Sequence, residues 1–187
     1  MASVVSICNM ALSYIGDSAI SALDDNNDRA RACNLHYEVQ RDACLRAHPW
    51  NFAKKREELA QDGTWDDDEW TYAYEIPSDY LRMLSPVENY PGEVPYAVEN
   101  GLILCNDSTL SIKYIAQITD TGYFDALFTD VLAQRLAATL AMALSKQKAL
   151  IDMMWNAYKQ KLDEARQMDG QEAEKVEFYL PELTAIR

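Results

Sequence analysis

Four side chains between positions 33 and 48, Cys33, His36, Cys44 and His48, are of the kinds that bind zinc or form a thiol nucleophile. Their spacing argues against zinc. On one helix Cys33 and Cys44 stand about 16 Å apart at 1.5 Å per residue, whereas ligands sharing a zinc each lie about 2 Å from it. Cys44 and His48 are one turn apart and could meet, but two ligands do not close a structural site. No glycine-rich oxyanion loop follows the cysteine either. The other candidate is Asp66-Asp67-Asp68-Glu69, framed by Trp65 and Trp70. Calcium loops alternate their ligands around a glycine bend, and here the acids are consecutive with Gly63 misplaced. Glycoside cleavage needs one carboxyl kept protonated in apolar surroundings, and four adjacent acids read as a solvated loop. With 6 glycines the chain offers no phosphate cradle, dinucleotide fingerprint or nucleophile elbow. No catalytic residue, cofactor or metal is nominated, and an enzyme is not expected.

The elements that position these residues begin with a helix over 3–15, with Val4, Ile7, Cys8, Ala11, Leu12 and Ile15 on one face and Gly16 as its stop. A longer helix of about six turns follows. Asp24, Asp25, Asn26 and Asn27 are its capping residues, and Pro49 closes it after His48. Ala30, Cys33, Tyr37 and Cys44 share its main apolar stripe, while Leu35 and Val39 fall on roughly the opposite side beside Ala32. A second stripe of that kind either is sandwiched within the domain or touches a neighbouring subunit. Pro49, Trp50 and Phe52 read as an anchor: the two rings lie two apart in an extended segment and point the same way into the core.

Beyond residue 54 the pattern changes. Trp70, Tyr72, Tyr74 and Ile76 alternate with Thr71, Ala73 and Glu75 as in a half-buried strand, and Leu110, Ile112 and Tyr114 alternate again. Asn100-Gly101 between apolar residues marks a hairpin. A small antiparallel sheet of three or four strands is expected over 70–118. A helix over 121–144, apolar nearly all round, should be surrounded by protein. The last helix, 146–168, carries Leu150, Met154, Ala157, Leu162, Ala165 and Met168, with Gly170 as its end. The predicted class is α+β, mainly α. A four-helix body of 1–53 and 119–170 holds an inserted β region at 54–118 and an extended C-terminal arm at 171–187. Phe178, Tyr179, Leu180, Pro181, Leu183 and Ile186 make that arm too apolar to float, so it should dock on its own body or another chain.

The chain holds 30 acidic against 17 basic residues, a net charge of −13. That balance opposes tight binding to phosphate backbones and to anionic lipid, yet suits a wall past which nucleic acid moves without sticking. The apolar run 126–144 is cut by Asp130, Gln134 and Arg135, so no membrane span is expected. Residues 1–15 lack a basic start and Asp17 closes them early, so no secretory leader is expected. Cys8, Cys33, Cys44 and Cys105 sit in apolar patterns and read as reduced, buried thiols of a protein folded in a cytosol.

Across nearly the whole chain, the order of features resembles the tail tubular protein A-like head–tail adaptors (connector proteins) of short-tailed bacteriophages. The matching pieces are NMALSYIGDSAISALDD, RARACNLHYEVQRDACLRAHPWNFAKKREELA, YEIPSDYLRML, the Asn100-Gly101 hairpin, FDALFTDVLAQRLAATLAMALS and LDEARQMDGQE. The resemblance implies a structural virion protein, made in the host cytoplasm and assembled as a ring, commonly of twelve copies, between the portal protein and the tail nozzle protein. DNA would pass through the ring without sequence-specific binding. The arm would reach the portal or a neighbouring subunit through Phe178 to Ile186. Some relatives degrade cell wall, which makes a virion-associated peptidoglycan hydrolase the first alternative. A host-side soluble protein-interaction module is the second.

Overall fold

The computed structural model describes residues 2–86 and 95–172. Helix α1 (Val4–Tyr14) starts at a capping box: the Ser3 hydroxyl accepts from the Ser6 backbone N–H, and the Ser6 hydroxyl accepts from the Ser3 backbone N–H. It ends where Gly16 takes a φ of 75°, a left-handed conformation that needs no Cβ. Helix α2 (Asp28–Ala47) is capped by Asn27, whose side-chain oxygen accepts from Ala30 N. His48 is already extended, as a residue before proline should be. A 3-10 turn, Asn51–Ala53, follows directly, so the segment holding Trp50 and Phe52 is coiled and not extended. The two rings nevertheless stack, with centroids 6.3 Å apart, and enter the same core.

Strand formation begins earlier than alternation implied. The strands are β1 (Lys54–Glu58), β2 (Tyr72–Glu75), β3 (Tyr80–Pro86), β4 (Tyr96–Glu99), β5 (Leu102–Cys105) and β6 (Ser111–Ala116). They form two antiparallel three-stranded sheets, ordered β1-β6-β3 and β2-β5-β4, in place of one sheet of three or four strands. The charged strand β1, KKREE, lies at an edge, where outward Lys and Glu side chains are tolerated and discourage further pairing. Asn100 (φ 51°) and Gly101 (φ 79°) make the two-residue turn joining β4 to β5.

Strand β6 faces both ways. Ile115 belongs to the helical core, while Ile112, Tyr114 and Ala116 pack with Tyr74, Ile103 and Cys105 of the other sheet. The first sheet is therefore a middle layer between the helices and the second sheet. The Tyr114 hydroxyl contacts Glu57 Oε2 at 2.9 Å and Asp79 Oδ1 at 2.8 Å, and Lys55 Nζ lies 3.0 Å from Asp79 Oδ2.

The segment from Thr121 does not begin the third helix. A single 3-10 turn, Thr121–Tyr123, is followed by α3 (Ala126–Leu140), because Asp125 caps the N–H groups of Leu127 and Phe128. A π turn, Ala141–Ser145, ends α3, and Lys146 at φ 57° redirects the chain into α4 (Lys148–Glu172). Helix α4 passes through Gly170, so that glycine does not stop it. Residues 126–145 are long and apolar enough to cross a membrane by length and composition, and more than half of that stretch is buried within this body. Each polar residue on α3 has a use. Asp130 accepts from Tyr14 at 2.6 Å and Lys161 at 2.7 Å, joining α1, α3 and α4. Arg135 donates to Gln40 at 2.8 Å and to the Tyr158 hydroxyl at 2.9 Å, joining α2, α3 and α4. The Gln134 amide reaches Met154. The architecture is α+β and mainly α, with four α-helices and two small antiparallel sheets among the described residues.

Candidate functional site

The anchor expected from sequence sits where the end of α2, the start of α3 and the end of α4 converge. Trp50 is 1% exposed, and its indole N–H donates to Cys44 O at 2.9 Å. Its ring meets Phe128 edge-on at 5.2 Å and His48 at 4.8 Å. Phe52 meets Phe128 at 5.0 Å, and Phe124 meets it at 4.8 Å. Offset and edge contacts of this kind add to the burial of area itself.

Asp169 locks the segment to α4, which sequence reasoning did not foresee. Its carboxylate lies 2.9 Å from His48 Nε2 and accepts the Asn51 backbone N–H at 3.0 Å. The Asp169 carbonyl accepts from the Asn51 amide at 2.7 Å, and Arg166 donates to Ala47 O at 2.8 Å. Burial lowers the His48 pKa below its ordinary value, with Asp169 pulling the other way. Beside the aromatic cluster opens a cavity of about 250 Å³ lined by Phe52, Tyr123, Phe124, Met168 and Glu172 among others. Glu172 is the last residue of α4. Phe124 and Phe128, four apart in the sequence, are the signal from which this aromatic cluster could have been found. Phe178, Tyr179, Leu180, Pro181, Leu183 and Ile186 lie outside the described residues.

Cys44 is buried, and burial pushes its thiol up to about 12, so it is not a thiolate near neutral pH. His48 turns its Nε2 to Asp169. Cys8 and Cys33 instead lie against each other between α1 and α2. The hydrogen bond between the thiols, then burial, raises the Cys8 pKa, so that group stays protonated. Asp66, Asp67, Asp68 and Glu69 are all exposed. Asp67 caps the backbone N–H groups of Glu69 and Trp70, while the Trp65 indole donates to Trp70 O at 2.9 Å. Among the described residues, no group of three or more His, Cys, Asp or Glu side chains gathers as a metal set.

Searches against family models and curated proteins return no match. The functional reading therefore rests on the surface. The two stripes of α2 separate cleanly: Ala30, Cys33, Tyr37 and Cys44 are buried, while Leu35 is 71% and Val39 63% exposed. Tyr96 and Val98 on the outer strand β4, and Met142 and Met153 near the junction of α3 and α4, are further large apolar side chains facing solvent.

Proposed function

We propose that this chain is a head–tail adaptor of a short-tailed bacteriophage, a structural virion protein that assembles as a ring between portal and tail nozzle. The observation that carries the reading is the outer stripe of α2. A helix whose inner stripe is fully used by its own core has no intramolecular need for leucine and valine one turn apart on the other side. An interface with further copies gives that stripe a partner, and the order of sequence motifs points to the same kind of assembly. Tyr96 and Val98 on β4 offer a second contact, suited to the next component of the tail. The arm, expected over 171–187, has its first two residues in the last turn of α4 and would engage the portal or a neighbouring subunit through Phe178, Tyr179, Leu180, Pro181, Leu183 and Ile186. The net charge of −13 suits a channel wall that DNA passes without adhering.

The test is assembly. Mixed with its portal, the native chain should appear as a ring on the complex by electron microscopy, and by light scattering it should be a monomer or a large cyclic oligomer. The double substitution Leu35→Glu, Val39→Lys should leave stability within about 0.5 kcal/mol, as for exposed sites, and abolish ring formation. A double variant that assembles like the native chain would remove the main support for this reading.

A further inference from the structure

The 250 Å³ cavity beside the aromatic anchor leaves apolar side chains open to water. Of the residues around it, Trp50 and Ala165 are buried, and Phe52 and Phe124 are half-buried. Met168 is 48% and Tyr123 68% exposed. Two of its carboxylates are already engaged within the body. Asp125 caps Leu127 and Phe128, and Asp169 meets His48 and accepts the Asn51 backbone N–H. The surface left for an occupant is therefore mainly apolar, and covering it is favourable. Glu172, the last residue of α4, is itself in the lining, so the chain leaves the helix at this cavity. Phe178, Tyr179 and Leu180 follow six to eight positions later and lie outside the described residues.

We propose that in the free chain this cavity is covered by the chain's own arm, with Phe178, Tyr179 and Leu180 seated against Phe52, Phe124 and Met168. The reach is sufficient. Six residues extend at most about 20 Å at 3.3–3.6 Å each, whereas the last two turns of α4 span about 11 Å. A segment tethered this closely has an effective concentration at its own cavity in the millimolar range, well above that of a second copy in dilute solution. The chemistry also matches. Aromatic rings on the arm meet the edges and faces of Phe52 and Phe124, and the Met168 thioether contacts aromatic rings favourably. A portal or neighbouring subunit that takes the arm must first draw it out of this cavity. The inference concerns the free chain and does not rest on the adaptor reading.

Hydrogen exchange of the full-length chain, read by mass spectrometry, tests this. In the monomeric fraction the amides of 177–183 should exchange about ten-fold more slowly than in a free peptide of the same sequence. Met168→Glu, checked for folding by circular dichroism, should remove that protection. Met153→Glu, at another exposed methionine of α4, should leave it unchanged. The triple variant Phe178→Ser, Tyr179→Ser, Leu180→Ser alters only the arm and should speed exchange over 121–128, the far wall of the cavity. Protection confined to assembled copies, or fading on dilution, would identify the occupant as a second copy's arm and overturn the proposal. An arm that exchanges like the free peptide, or equal protection in Met168→Glu and the native chain, would also overturn it.

Discussion

Replacing Trp50 by alanine removes the ring that ties the end of α2 to the start of α3. An aromatic side chain buried to 1% exposure hides about 150–250 Å². At about 25 cal/mol per Å² that area corresponds to about 4–6 kcal/mol, of which alanine's own methyl retains part. The indole bond to Cys44 O contributes about 1 kcal/mol net. Phe52, Phe128 and His48 can collapse only partly into the space, so the expected loss is about 3–5 kcal/mol. Trp50→Phe isolates the polar part: most of the area stays, and a buried carbonyl loses its donor, for about 1–2 kcal/mol. Urea unfolding followed by far-ultraviolet circular dichroism measures both, with an unchanged slope showing that the change is in stability alone. Because Trp50 is covered within one chain, the loss should be seen whether or not the protein is assembled. A loss below about 1 kcal/mol for the alanine variant would refute the anchor. So would a phenylalanine variant as damaged as the alanine one.

The remaining predictions concern the clamp and the hairpin. Burial holds the His48 pKa below its unfolded value, so the folded state binds fewer protons than the unfolded chain. Its contribution is complete above about pH 6.5 and is lost as pH falls through the folded pKa. His48→Gln should therefore lose less of its urea midpoint than the native chain between about pH 7.5 and 5.5, and parallel curves would contradict this. Asp169→Ala leaves the Asn51 N–H without its acceptor and should cost about 2–3 kcal/mol by the same assay. It should also steepen the acid loss, since Asp169 is the group raising the His48 pKa. Gly101→Ala meets open space around the new Cβ, so its cost of about 1 kcal/mol should come from the φ of 79° alone. Hydrogen exchange should place that change in β4 and β5, and a global loss would argue against it.

What could be read without coordinates was what neighbouring residues impose on one another. Ser3, Asn27 and Pro49 mark helix ends because caps and the proline ring act within three or four residues. The two stripes of α2 follow from 100° per residue, and the Asn100-Gly101 turn follows from left-handed φ angles. Strand β1 was not legible, because KKREE has no alternation; β6 makes it a strand by offering a complementary backbone edge. Nor was the split into two sheets, which depends on β6 burying both of its faces. Gly170 stays helical because Asp169, beside it, is held by His48 and Asn51, residues about 120 positions away in the chain. The burial of Tyr37 and Arg41 has the same origin. Sequence placed both residues on α2, but only the packing of α1 and the loop before α2 against that helix buried them, because burial is a property of what arrives from elsewhere in the chain.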